Sequence, residues 1–411
     1  MKKFPKGLIW LLAVLLLAGC GLSGEETVPS DETRQETEET VRETSQAMQE
    51  EESKEERLSE EKSPEEGTEV SSSEDSFYYA YGTLETQEMR QLYREMLQSL
   101  QNRENETELS TLNPDLLESV FGAVMADHPE IFYADGYSST VYKLGNSMKK
   151  ITFTGTFTME EEEIRRRQEL LNETVAGWMA GLKPEMDDYE KVKYLYEYLI
   201  VHTEYEQGAP DSQNICSVLL NGKSVCQGYA KTLQLLCQKA GLEAFLVTGQ
   251  VGGQGHAWDL IRLDGEWYHV DPTWGDASYL REGESPLTAA SSPAVNFDYF
   301  CVTTDQISQS HCLGEGQKLP ACTAVADHYY RREGLFLTQA DEEQIRAIFE
   351  RAVQNGQAVV TFQCADDEVY DQVYRMLIEE QKVFAFLPGE NTQAAYTDSP
   401  DRRTFSFWLE Q

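Results

Sequence analysis

The stretch Ser224-Val225-Cys226-Gln227-Gly228-Tyr229-Ala230 places a cysteine where a helix is predicted to begin. Apolar residues recur behind it at helical spacing, including Leu233 and Leu236, and the pattern stops at Gly241, a residue typical of the position just past a helix C-terminus. The partial positive charge at a helix N-terminus favours a thiolate over a thiol. The stretch therefore predicts an activated sulfur at Cys226.

A histidine and an aspartate follow on two stretches that alternate as strands do. His256 opens the stretch 256–263, and Asp271 directly follows the stretch 266–270. Asp264-Gly265 between them is a strong signal for a tight hairpin, so the two strands are predicted to pair. A cysteine at a helix start, opposite a histidine and a carboxylate on paired strands, is the arrangement that activates a sulfur nucleophile.

Three motifs occur in the order and at the spacing found in the transglutaminase-like superfamily, a branch of the papain-like cysteine enzymes. They are Val-Cys-Gln-Gly-Tyr-Ala at 225–230, Gly-His-Ala-Trp-Asp at 255–259 and Trp-Tyr-His-Val-Asp-Pro-Thr-Trp at 267–274. The chain resembles this family over roughly residues 185 to 305. The resemblance implies that Cys226 is the nucleophile, His256 the general base and acid, and Asp271 the group that orients the imidazole.

The resemblance also implies the fold class, which is α+β. A papain/transglutaminase-like core is expected, in which the helix bearing the cysteine packs on an antiparallel sheet bearing the histidine and the aspartate. His269 competes with His256 for the role of base, because both precede Asp271; the match to the second motif favours His256. The backbone N–H of Cys226 is a natural oxyanion donor. Four residues are candidates for binding substrate: Tyr205, Gln227, Trp258 and Trp274. A packing or turn role is the alternative for Tyr205, and a place in the hydrophobic core is the alternative for the two tryptophans. Gln227 is also a candidate side-chain donor to the oxyanion.

The start of the chain is predicted to be the signal peptide of a bacterial lipoprotein. Lysines at positions 2, 3 and 6 precede the apolar stretch 8–17, which is too short to span a membrane. Leu17-Ala18-Gly19-Cys20 resembles the bacterial lipobox, which implies cleavage before Cys20 and a lipid on its sulfur. The alternative is a plain secretory signal. The expected location is the extracytoplasmic face of the cell membrane, with a lipid anchor.

Charge and cysteine usage limit the possible partners. The net charge of −38 argues against nucleic acid and against anionic lipid as partners. No cysteine or histidine spacing is typical of a zinc site, so no metal and no cofactor are expected. Outside the cytoplasm disulfides are permitted, and Cys312 with Cys322 is the favoured pair by proximity, whereas Cys237 is predicted to be a buried thiol.

Five segments are predicted along the chain. They are a lipoprotein signal peptide (1–19), an acidic disordered tether (20–75), an N-terminal α+β module (76–158), a transglutaminase-like catalytic domain (159–320) and a C-terminal ferredoxin-like α+β module (321–411). The tether prediction depends on composition: residues 21–75 hold 20 Asp and Glu against 5 Lys and Arg and no aromatic residue.

Apolar runs and capping residues predict individual elements within the folded segments. Strands are expected at 77–81, 131–133, 140–142, 151–157 and 297–302. Thr158 and Glu161 form a capping-box pattern that opens a helix reaching about residue 180. The loop between 275 and 296 is long enough to be a lid. The C-terminal order is β-α-β-α-β-β, closing in a hairpin of 383–387 and 404–409.

Two classes of function are compatible with this sequence. The first is a surface-anchored cysteine enzyme that acts on amide bonds of proteins or peptides through a thioester, with hydrolysis favoured over transfer to an amine. The second is a catalytically silent module of the same fold that binds wall polymers or protein partners. The complete set of Cys226, His256 and Asp271 favours the first class.

Overall fold

A computed structural model of the chain describes residues 77–276, 295–314, 317, 319–387 and 394–409. The predicted signal peptide and tether lie outside the described residues, and so does nearly all of the predicted lid between 275 and 296. Within the described ranges, no helix combines the length and the apolar character needed to cross a membrane.

The first part of the described chain packs three helices against a small antiparallel sheet whose strand order is β1-β3-β2. The elements are α1 Tyr79–Gly82, α2 Gln87–Asn102, β1 Thr107–Leu109, α3 Leu117–Asp127, β2 Ala134–Leu144 and β3 Ser147–Phe157. Strands 140–142 and 151–157 are confirmed. The predicted strand at 77–81 is wrong: the buried carboxylate of Asp127 accepts the backbone N–H groups of Ala80 and Tyr81, at 2.9 and 2.8 Å, and holds a helical turn there.

Residues 131–133 also form no strand, because they belong to the turn that follows α3, in which the Ile131 N–H donates to the carbonyl of His128. The next elements are α4 Glu161–Met179, α5 Asp188–Val201, β4 Glu204–Tyr205, α6 Ile215–Asn221, β5 Lys223–Ser224 and α7 Cys226–Lys239. Helix α4 is confirmed but its capping box is wrong. Glu160 precedes the helix without a side-chain cap, and the Thr158 hydroxyl donates to the Tyr133 carbonyl instead.

A four-stranded antiparallel sheet of order β8-β7-β6-β9 faces α7. Its strands are β6 Ala244–Val251, β7 Gln254–Leu263, β8 Glu266–Val270 and β9 His311–Leu313, and the short helices α8 Pro272–Gly275 and α9 Thr304–Ile307 lie between the last two. The predicted hairpin is confirmed, with positive φ at both Asp264 (49°) and Gly265 (89°), as a type I′ turn requires. The predicted strand at 297–302 is wrong: its residues are largely buried, but Cys301 has a φ of 55°, which no strand accommodates.

The last part of the chain forms a second four-stranded sheet of order β10-β11-β13-β12 with its own hydrophobic core. Its elements are α10 Tyr329–Arg332, β10 Phe336–Leu337, α11 Glu342–Gln354, β11 Val359–Cys364, α12 Asp367–Tyr374, β12 Tyr396–Ser399 and β13 Thr404–Trp408. The predicted element order is confirmed, but the ferredoxin-like assignment is wrong. Strands β10 and β11 are adjacent and parallel, whereas a ferredoxin-like fold has the order β-α-β-β-α-β with split βαβ units.

The final hairpin is also formed differently from the prediction. Strand β13 pairs with β12, whereas the predicted partner, 383–387, overlaps the 3₁₀ turn Lys382–Ala385. The apolar side chains of that turn enter the core of this part, which explains the apolar pattern without a strand.

The α+β fold class is confirmed, and one hydrophobic core joins elements from Tyr81 to Cys301. Helix α7 lies within it, with Leu233, Leu236 and Cys237 fully buried. The predicted segment boundaries stay predictions. The predicted disulfide is wrong: Cys312 and Cys322 are both free thiols, the first exposed and the second buried.

Close packing explains why the first motif has a glycine at position 228. A Cβ on Gly228 would overlap the hydroxyl groups of Ser217 and Ser224, which are themselves 2.6 Å apart in a buried hydrogen bond. Only glycine therefore allows the first turn of α7 to approach α6 and β5 this closely. The position of Cys226 depends on that approach.

Candidate active site

Cys226 is the first residue of α7 and is half-buried. It lines a cleft of about 470 Å³ together with His256, and the Cys226 thiol is near enough to the His256 imidazole to contribute to raising its pKa. A backbone N–H in the first turn of a helix has no intrahelical acceptor. The Cys226 N–H is in this position, and its role as an oxyanion donor stays a prediction.

Asp271 orients the imidazole of His256 from the opposite side. Its Oδ2 lies 2.7 Å from Nε2 of His256, and both side chains are buried. This contact leaves Nδ1 of His256 for the thiol. Pairing of β7 with β8 ends at Asp259 and Val270, so Asp271 leaves the sheet toward the end of β7 that carries His256.

The Asp271 carboxylate accepts four hydrogen bonds. Its Oδ1 accepts the backbone N–H groups of Thr273 and Trp274, at 2.9 and 3.0 Å, because Asp271 caps α8. Its Oδ2 accepts His256 and also Nε2 of His311, at 2.9 Å. Four bonds fill the capacity of a carboxylate, so this group cannot rotate without losing a partner.

The electrostatics of the pair favour a charged imidazole. Burial is the largest influence on the pKa of His256 and lowers it, but Asp271 and Cys226 together outweigh burial and raise that pKa to about 10. Burial also raises the pKa of Asp271, yet His256 and His311 together hold it below its usual range. The stabilisation that the His256 charge gives the folded state is complete below about pH 6.5 and is lost as pH rises toward 10.

His269, the alternative base, has a different role. Nε1 of Trp258 donates to its Nδ1 at 3.0 Å, and its Nε2 lies 3.2 Å from the Thr304 hydroxyl. Burial, and secondarily His311, lower the pKa of His269 to about 4. The structure therefore places His269 in the core as a neutral, hydrogen-bonded side chain.

The four residues predicted to bind substrate divide into two pairs. Tyr205 and Gln227 line the cleft beside Cys226. Trp258 is fully buried, so its alternative packing role holds. Trp274 is half-buried, packs against Tyr299 and His311, and is not among the residues that line this cleft.

Asp259, the last residue of the second motif, is buried without a hydrogen-bond partner for either carboxyl oxygen among the described residues. Burial, reinforced by the charge of Asp271, holds its pKa well above the usual range. Asp259 is therefore a neutral acid close to the site and does not compete with Asp271.

His256, Asp271 and His311 also form a cluster of three potential metal ligands, whose ligand atoms lie within 4.8 Å of one another. Imidazole and carboxylate groups in this number suit zinc. In the present arrangement the same atoms are engaged in the hydrogen bonds described above.

Residues 177–272 match the model of the transglutaminase-like superfamily. The chain contains a transglutaminase-like domain. Mouse and human proteins named kyphoscoliosis peptidase are both 30% identical to this chain, over 122 and 105 residues. The matches cover 26% and 21% of this chain but only 18% and 16% of those proteins. The chain thus spans less than a fifth of the length of these curated relatives.

Two solved structures are also similar to parts of the chain. A structure described as a TGase is 18% identical, with a TM-score of 0.25, and the match covers 37% of this chain and 50% of that one. The periplasmic domain of TgpA from Pseudomonas aeruginosa bound to ethylmercury is 16% identical, with a TM-score of 0.20, and the match covers 34% and 66%.

One residue of the site was missed by the sequence reasoning. His311 lies 40 residues beyond Asp271, on β9, outside all three motifs. The only local signal was its alternation with neighbours on a strand of three residues, which is too short to distinguish from a turn.

The pKa of His256 provides a direct test of this geometry. Asp271→Asn removes the strongest influence that raises it, so the pKa should fall from about 10 toward the ordinary value of about 6.5. Titration of the His256 imidazole by NMR measures this change. Asp276→Asn is the control, because Asp276 is a buried carboxylate five residues away that bonds Tyr229 instead. An unchanged titration in Asp271→Asn would contradict the assignment.

Proposed function

We propose that this protein is a cysteine-dependent enzyme that acts on amide bonds of proteins or peptides through a thioester intermediate. One observation carries the proposal: Cys226, at a helix N-terminus, lines one cleft with an imidazole that is itself hydrogen-bonded to a buried carboxylate. An imidazolium beside the sulfur favours the thiolate, which is the nucleophilic form. The name of the kyphoscoliosis peptidases supports a peptidase reading of the shared segment.

Each residue has a defined part in the proposed reaction. The Cys226 thiolate attacks the amide carbonyl, and the oxyanion is placed to accept the backbone N–H of Cys226. His256 gives its proton to the amine as the C–N bond breaks, which leaves a thioester. Water then attacks the thioester while His256 takes one of its protons, and the acid leaves with regeneration of the thiolate. Asp271 stays ionised throughout, because His256 and His311 hold its pKa low.

The cleft favours a neutral segment of peptide. Four glutamine side chains line it: Gln207, Gln213, Gln227 and Gln254. Amide groups donate and accept hydrogen bonds, so they suit a peptide backbone without requiring charge on the substrate. Cys226 is half-exposed, which gives water access to a thioester. These features support hydrolysis over transfer to an amine.

The enzyme reading requires that Cys226 be unusually reactive. At pH 6 iodoacetamide should alkylate Cys226 more than about tenfold faster than Cys312, because only a small fraction of an ordinary thiol is ionised at that pH. Cys312 is an exposed free thiol of the same chain and serves as the internal control. Peptide mapping by mass spectrometry measures both rates in one sample. A Cys226 no faster than Cys312 would favour the silent binding module.

The choice of acceptor is tested with a library of glutamine-containing peptides, incubated with and without a dansylated amine. Products that have gained water, through cleavage or deamidation, should dominate by mass. Cys226→Ala and His256→Ala should each lower product formation by at least about 10³-fold, because nucleophile and base act as a unit. Product that persists in these variants would overturn the triad, and dominant amine incorporation would reverse the preference for water.

The lipid anchor is a separate part of the proposal and depends on the lipobox-like residues 17–20 alone. Cys20→Ser removes the sulfur that a diacylglyceryl group would modify. The variant should move from the detergent phase to the aqueous phase, or remain unprocessed, in a Triton X-114 partition of the expressed protein. Unchanged partitioning would contradict the anchor.

A further inference from the structure

The His311 imidazole is completely buried, with no exposed side-chain surface, among the rings of Trp258, Trp274 and Tyr299. A buried imidazole is stable only if both nitrogens have partners. Its Nε2 faces Asp271 at 2.9 Å, and its Nδ1 lies 2.8 Å from the Ser310 hydroxyl. His311 therefore connects the Asp271 carboxylate to Ser310 and, through it, to the hydrogen-bond partners of Ser310.

Ser310 is held by a residue of the C-terminal sheet. Nη2 of Arg402 donates to the Ser310 hydroxyl at 2.8 Å, and Nη1 of Arg402 donates to the Gln306 carbonyl at 3.0 Å. The guanidinium also lies over the ring of Tyr299, 4.4 Å from its centre. Arg402 precedes β13 in the turn after β12, so the contact reaches from one sheet to the other.

The donors and acceptors along this contact fix the position of each proton. Arg402 has only N–H donors, so Ser310 must accept from it. The Ser310 hydrogen then goes to Nδ1 of His311 at 2.8 Å, in preference to the Ile307 carbonyl at 3.5 Å. Nε2 of His311 therefore carries a hydrogen and donates it in the hydrogen bond to the Asp271 carboxylate.

We propose that Arg402, Ser310 and His311 form a positioning relay that selects the Nε2–H tautomer of His311, fixes the Asp271 carboxylate and so sets the reactivity of the Cys226–His256 pair. Without Arg402, the Ser310 oxygen is free to accept a hydrogen bond from an Nδ1–H group of His311. The bare Nε2 lone pair would then face the carboxylate, and Asp271 would lose one of its four donors. The effect on reactivity rests on the proposed function, whereas the effect on the tautomer does not.

The test uses the full chain and three substitutions. Ser310→Ala breaks the relay but leaves the bond from Arg402 to Gln306 and its stacking on Tyr299. Arg402→Met removes the cation, and Arg402→Lys keeps a charge and an N–H donor. Arg403→Met is the matched control, since Arg403 is the next residue of the same turn and faces Asp367 at 3.5 Å. Thermal melting verifies that each variant is folded.

Two measurements are made on each variant. The first is the rate of Cys226 alkylation by iodoacetamide at pH 6, which should fall about tenfold in Ser310→Ala and in Arg402→Met, the loss expected for one hydrogen bond to a charged group. The double variant should lose no more of the alkylation rate than either single variant, because both substitutions break the same series of hydrogen bonds. Arg402→Lys should recover part of the rate, and Arg403→Met should behave as the unsubstituted protein.

The second measurement is the ¹⁵N NMR signature of the His311 imidazole, which distinguishes the two tautomers. The chain has six histidines, so the signal can be assigned by substitution. The unsubstituted protein should show the Nε2–H form, and Ser310→Ala and Arg402→Met a mixture. An unchanged tautomer and rate in Ser310→Ala would overturn the relay. If Cys226 proves unreactive in the unsubstituted protein, the proposed function fails, and the tautomer comparison still decides the relay.

Discussion

The carboxylate of Asp271 is the group on which the rest of the site depends. It is fully buried, and an ion in that position is stable only when hydrogen bonds replace its hydration. The donors come from three places in the chain: the backbone of α8, the start of β7 and the start of β9. The order of the sheet, with its hairpin and its fourth strand, follows from the need to bring these donors to one point.

Helix α7 positions the Cys226 thiol. The sheet fixes His256, but the thiol reaches it only because the first turn of α7 packs tightly against α6 and β5. Gly228 makes that approach possible, and the buried apolar face of α7 holds it. The sulfur thus lies between the N-terminus of α7 and the His256 imidazole.

The sequence predicted those features that local rules determine. Asp264-Gly265 requires a turn with positive φ, and the periodicity after Cys226 requires a helix, so the hairpin and the start of α7 were found, although β7 begins two residues earlier than predicted. The runs at 77–81, 297–302 and 383–387 were predicted to be strands and were given the wrong conformation. Contacts between residues distant in sequence, such as the two hydrogen bonds to Asp127, determine the backbone conformation there. Such contacts leave no local pattern in the sequence.

The same reasoning explains why the triad was predicted and its support was not. The segment that matches the transglutaminase-like superfamily ends at residue 272, so it holds Cys226, His256 and Asp271 but neither His311 nor Arg402. Within that segment Asp271 would have the His256 imidazole as its one donor, because the backbone donors Thr273 and Trp274 directly follow residue 272. The fourth donor enters from β9, and its partner Ser310 is bonded by a residue almost a hundred positions further on. The matched segment therefore carries Cys226, His256 and Asp271, whereas the later parts of this chain complete the hydrogen bonding of the Asp271 carboxylate.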